Sequence, residues 1–159
     1  MDVLADAIAR DRRSNRPALS VPAAGRSYDY RRFCTSAWKT GNFLRLLGVR
    51  QGVGVAVADD PTAEPVLTLY GAAALGAVVC FDPASATDDG TRALVVPAAD
   101  VDAHEVGPAT KRVVYGDPPT DPSVSYFERD VWSENPTESP NRVDPETPLL
   151  RIGEDRYSH

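Results

Sequence analysis

The chain has 159 residues, enough for one domain with a sizeable core, and its 42% apolar content excludes a fully disordered polypeptide. Two cysteines are too few for a disulfide-stapled miniprotein. Seventeen basic against twenty-three acidic residues leave a formal charge of −6, which argues against binding to a nucleic-acid backbone as the main role.

The charge divides along the chain. Residues 1–50 carry ten Lys/Arg and four Asp/Glu, whereas residues 51–159 carry seven and nineteen. The basic first third is expected to face the acidic remainder, the alternative being that it meets an anion. Lys39 and Lys111 are the only lysines against fifteen arginines, and Asp outnumbers Glu sixteen to seven. This bias suits a halophilic proteome, and a GC-rich genome favours it as well.

Asp2 can cap a short helix running to about Ser14, with Val3, Leu4, Ala7 and Ile8 as its apolar stripe and Pro17 beyond its end. Ala18–Val21 reads as a strand, and Arg26-Ser27 returns it as a hairpin across Gly25. Ser27 is a plausible cap for the clearest helix. From it Tyr30, Phe33, Cys34, Ala37, Trp38, Gly41 and Leu44 recur at steps of three and four, to an end near Leu47 and Gly48. The aromatics Phe33, Trp38 and Phe43 could stack bases, but their helical spacing favours a core role.

Val53–Ala58 reads as a buried strand, then a helix capped by Thr62 runs to about Leu75, then a second buried strand spans Ala77–Phe81. Strand, helix and strand within thirty residues predict a βαβ unit with parallel strands. Residues 84–91 read as loop; 92–96 and 111–115 as short strands; 124–132 as one or two helical turns; 147–152 as a last strand candidate. Nine of the fourteen prolines lie between Pro97 and Pro148, which predicts an irregular C-terminal third. The expected fold is α/β: a partial three-layer parallel sheet with flanking helices. Residues 1–132 form the domain, and residues 133–159 form an extended strap or terminal strand and tail.

Charges at Asp2, Asp6 and Arg10 interrupt any signal-like core, and the longest uncharged run, Pro65–Phe81, is short for a bilayer span. A cytoplasmic protein with no membrane partner is expected. Cys34 and Cys80 lie in apolar stretches and read as buried thiols. No CxxC and no His pair at ligand spacing point to a metal. Asp59-Asp60 ends a strand where open α/β sheets bind ligands, although a turn role suffices for it. Asp88-Asp89-Gly90 reads as a turn, since the further ligands of a calcium loop are missing. Ser158-His159 reads as tail rather than as a hydrolytic pair.

The ordered motifs resemble the N-terminal end of the adenylate-forming superfamily, which includes acyl-CoA and acetyl-CoA synthetases. Ser27-Tyr28 before the long helix is similar to that family's opening. Gly48-Val49-Arg50-Gln51-Gly52 followed by Val55-Ala56-Val57 resembles its glycine-bracketed strand entry. Asp60-Pro61, then Leu75-Gly76-Ala77-Val78-Val79 and Asp82-Pro83, resemble its next βαβ step. Residues 141–150 look like the approach to its phosphate-binding loop.

The departures matter as much. Val53 stands where the family usually has Asp, and the stretch after Pro83 is short by a helix. Where the resemblance implies a Ser/Thr/Gly-rich loop with a Lys, the sequence reads Arg151-Ile152-Gly153-Glu154-Asp155-Arg156. A phosphate cradle needs clustered backbone N–H groups and a cation, and two carboxylates there repel it. No catalytic, cofactor-binding or metal-binding residue is therefore carried over. The expected role is non-catalytic, by self-association or association with a full-length synthetase, through a face of Val66, Leu69, Tyr70, Val79 and Phe81 expected to lack cover without the rest of such a domain. The alternatives are a small-molecule or nucleotide module that keeps part of the cleft, or acid–CoA ligase activity.

Overall fold

The computed structural model describes residues 1–159. Two antiparallel strands, β1 (Pro17–Val21) and β2 (Arg26–Asp29), form a hairpin closed by Gly25 at φ 61°. Helix α1 (Tyr30–Leu46) follows directly. Then come β3 (Gly54–Val57), α2 (Ala63–Ala73), β4 (Val78–Cys80), β5 (Thr91–Pro97), β6 (Lys111–Tyr115), β7 (Ser125–Tyr126) and α3 (Phe127–Asp130). The chain closes with β8 (Pro148–Ile152) and β9 (Asp155–Ser158). One seven-stranded sheet has the order β7-β6-β5-β3-β4-β8-β9, and only β9 runs antiparallel to its neighbour.

The βαβ expectation holds: β3 pairs in parallel with β4 across α2. Side chains alternate across the sheet. Val55, Val57, Val95 and Val113 enter the main core beneath α1 and α2. Ala56, Leu94, Val96 and Val114 form a smaller cluster on the other face. The cover there is thin, because the chain offers only short 3-10 turns, Pro83–Thr87 and Ala98–Ala103, where a third layer would carry helices. The sheet is thus layered fully on one side and partially on the other.

The aromatic stripe packs in the core, with Phe33, Trp38 and Phe43 all buried. Helices α1 and α2 meet at glycines. A Cβ on Gly71 would lie 2.7 Å from the Gly41 backbone nitrogen.

Three expectations need correction. Residues 2–14 do not form one helix; they form two 3-10 turns, Leu4–Ile8 and Arg10–Arg12, split by extended Ala9. The Ile8 carbonyl accepts from Trp38 Nε1 at 2.9 Å, so it is spent on the core rather than on a helical ladder. Asp6, not Asp2, ties the first turn, accepting from the amides of Asp2 and Val3.

The cap of α1 is Asp29, whose Oδ1 accepts from the Arg32 amide at 2.7 Å; Ser27 sits in β2 opposite Ser20. Finally, Val66, Leu69, Tyr70, Val79 and Phe81 are not bare. Val79 is fully buried, and the others pack half-buried against the main core. Tyr70 stands edge-on to Phe33 with centroids 5.1 Å apart.

Residues 133–147 carry no helix or strand and cross α1 as a strap. Asn42 Nδ2 donates to the carbonyls of Asn135 and Thr137 at 2.8 and 3.0 Å, which anchors it.

Candidate functional site

In an open α/β sheet, ligands bind outside the carboxyl ends of strands where the strand order reverses. Here β3 is flanked by β4 on one side and β5 on the other, so the reversal falls at the end of β3. That end carries Asp59-Asp60, and the structure sends the two carboxylates different ways. Asp59 is exposed and lines a cavity of about 340 Å³ with Cys80, Phe81, Asp82 and Arg151. Asp60 turns toward β6, where its Oδ2 accepts from the Tyr115 hydroxyl at 2.8 Å.

Tyr115 is the site residue that sequence reasoning missed. Fifty-five residues separate it from Asp60, and only the parallel register of β5 and β6 brings it to the rim. Burial and the Asp60 carboxylate push its phenol far above the ordinary range, so it stays a donor. Thr62 occupies the cap position of α2 as expected, but its hydroxyl caps nothing and is buried without a partner.

A polar seam continues beneath α2. Glu64 is 2% exposed and pairs with Arg26 Nη1 at 2.5 Å, and Arg26 also donates to the Tyr28 hydroxyl. Glu128 Oε1 accepts from the Gly116 amide at 2.7 Å, while its Oε2 is buried without a partner. Burial, with a contribution from the Glu64 charge, holds the Glu128 carboxyl above its usual range.

The seam can hold protons and accept hydroxyl or amine groups. Its carboxylates, Asp59, Asp60 and Asp82, repel phosphate. No three His, Cys, Asp or Glu side chains come together as a metal set.

The other sequence candidates lie apart. Asp88 pairs with Arg151, and Gly90 turns the chain at φ 85°. Cys34 and Cys80 are buried and free, and burial raises the Cys34 thiol. Ser158 belongs to β9. His159 is docked rather than frayed: its Nδ1 accepts from the Leu4 amide at 3.2 Å, while its Nε2 is buried without a partner. No helix is long and apolar enough to cross a membrane.

At 151–156, where the resemblance implies a phosphate loop, the chain turns at Gly153 and pairs β9 back on β8. Solved structures similar to the fold as a whole over more than nine-tenths of the chain include CoA ligases and acyl-CoA synthetases, a luciferase-like enzyme and a nonribosomal peptide synthetase. An anthranilate CoA ligase in complex with anthranoyl-AMP superposes with a TM-score of 0.78 at 23% identity, covering 93% of this chain and 31% of that one.

The fold is that of the N-terminal region of adenylate-forming ligases. The N-terminal domain of FACL13 from Mycobacterium tuberculosis gives 0.70 at 19% identity, covering 94% of this chain and 41% of that one. A Brucella canis acyl-CoA synthetase gives 0.71 at 19% identity, with 97% and 32% covered. The chain spans about a third of the length of the ligases it matches. No family profile and no curated protein sequence matches it.

Proposed function

We propose that this ligase-type module does not form adenylates itself and acts by association, with itself or with a full-length synthetase. One observation supports the non-catalytic part: where the sequence resemblance implies a glycine-lined phosphate nest, the chain forms the β8–β9 hairpin, with Glu154 in its turn and Asp155 opening β9. A nest needs successive main-chain N–H groups free to face the anion. Here the Ile152–Asp155 pairing closes the turn and sets the carboxylates of Glu154 and Asp155 at it.

Pyrophosphate release is the direct test, with acetate, ATP and CoA supplied to the purified chain. No release above the enzyme-free rate is expected, and sustained turnover overturns the non-catalytic part. Sedimentation at micromolar concentration, with a pulldown against a full-length synthetase, tests association. A monodisperse monomer that captures no synthetase overturns it.

A second reading has the chain bind a small molecule at the strand rim. The buried Thr62 hydroxyl and the Asp60–Tyr115 pair favour it. Thermal-shift screening with ATP, AMP and acyl-CoAs separates the two: shifts within noise at millimolar ligand end the second reading.

A further inference from the structure

A cleft of about 510 Å³ opens among β2, α1, α2 and α3. Buried Leu67, Phe127 and Val131 give it an apolar base. Tyr28 and Trp132 wall it, and Trp132 is 77% exposed. That indole is held in place, because Lys39 Nζ donates to the Trp132 carbonyl at 2.7 Å and sits 4.9 Å from the ring centroid.

Arg13, Arg31, Arg32 and Lys39 face the same cleft. The sequence predicts that the basic first third faces the acidic remainder. Of its ten cations only Arg26 has a carboxylate partner there, Glu64. Of the cleft's own carboxylates, only Glu64 pairs with a cation. Asp29 caps α1, Glu64 holds Arg26, and Glu128 accepts from the Gly116 amide. Five cations against three carboxylates leave the cleft net positive, and Arg13, Arg31, Arg32 and Lys39 form no ion pair.

Spacing and chemistry together select the occupant. Arg31 and Lys39 lie eight residues apart on α1, about 12 Å along the axis. One carboxylate or phosphate cannot engage both ends, whereas an extended peptide covers that distance in about four residues. The apolar base and the exposed indole call for an apolar side chain between the charges. Trp and Arg together are the residue types that dominate binding energy at protein interfaces.

We propose that this cleft docks an extended acidic segment of a partner protein, carrying two Asp or Glu about four positions apart with an apolar or aromatic residue between them. The inference rests on the association reading above and names its surface. The carboxylates meet Arg31 and Lys39, the intervening side chain enters beside Trp132, and Arg13 and Arg32 select further negative charge. Guanidinium groups hold carboxylates in paired hydrogen bonds, which fixes the segment's direction.

A random peptide library displayed on phage and panned on the intact chain tests this without presupposing a sequence. Enrichment of acidic peptides with a central apolar residue is expected. Their binding should weaken at least tenfold in the Arg31→Glu/Lys39→Glu variant, and also when salt rises from 0.05 to 0.3 M. The Trp132→Ala variant should lose binding while keeping the wild-type thermal midpoint. Arg31 and Trp132 are exposed and Lys39 is half-buried, outside the core, so circular dichroism of the variants should match the parent. Enrichment with no acidic bias, or equal enrichment on the charge-reversed variant, overturns the proposal. A dimer in sedimentation that the same reversal abolishes makes a second copy the occupant, and overturns it too. An association that survives the reversal sinks this site and leaves the association reading standing.

Discussion

Gly41 and Gly71 show how a single missing side chain sets the distance between two helices. Glycine inside a helix costs about 1 kcal/mol relative to alanine, so Gly71→Ala gains on propensity alone. The added Cβ, however, would meet the Gly41 nitrogen at 2.7 Å and the Ala37 carbonyl at 3.2 Å, both backbone atoms that cannot rotate away. Overpacking of this kind typically costs about 1–3 kcal/mol and outweighs the propensity gain. Gly71→Ala should lower the thermal midpoint by roughly 2–8 °C in a chain of this size. An unchanged or raised midpoint would show that α1 and α2 slide apart freely. Tyr115→Phe makes a gentler case. It deletes the bond to Asp60, which is half-exposed and regains water, so a loss of only about 0.5–1.5 kcal/mol in urea unfolding is expected. A larger loss would mean that the rim is held by this one hydroxyl.

Among the elements, the Arg26–Glu64 pair joins the β-hairpin to the first turn of α2. Its two ends differ in burial: the Glu64 side chain is 3% exposed and that of Arg26 38%. Removing the arginine strands a buried carboxylate, while neutralising the glutamate leaves a guanidinium that water can reach. Arg26→Ala should therefore cost more than Glu64→Gln, about 1–3 against about 1 kcal/mol, after discounting for the exposed arginine. Equal losses in chemical denaturation would refute the asymmetry. Elements whose signal is local were legible in sequence. The steps of three and four from Phe33 to Leu44 gave α1, and alternating valines with Gly76 gave β3, α2 and β4. Elements decided by distant partners were not. Ser27 has a cap's chemistry, yet pairing with Ser20 drew it into a strand and left Asp29 to cap. The N-terminal stripe has helical spacing, yet the Trp38 indole took the Ile8 carbonyl. The strand end carrying Asp59-Asp60 was placed correctly, but Tyr115 came to it through sheet register, which no local pattern encodes.

Across the whole molecule, two half-buried groups at opposite ends of the fold give stability opposing responses to pH. His159 joins the last strand to the first 3-10 turn, and burial lowers its imidazole below the ordinary 6.5. The unfolded chain then binds a proton more readily than the folded one, so this contact supplies stability above pH 6.5 that is lost as pH falls below it. Protonation at Nδ1 also removes the acceptor for the Leu4 amide. Glu128 behaves in reverse: its folded value lies above the ordinary 4.5, so its contribution is present below pH 4.5 and declines as pH rises through the folded value. Asp6 and Asp130 are lowered from 3.8 and act only in more acidic solution. Between pH 4.5 and 6.5 the two slopes therefore oppose each other, and single variants separate them. Glu128→Gln should leave a midpoint in urea that climbs with pH across this window. His159→Asn, whose side-chain oxygen can still accept from Leu4, should leave one that falls. Parallel profiles for the parent and both variants would show that neither group titrates with folding, and that the docked terminus contributes nothing to holding the sheet and the N-terminal turns together.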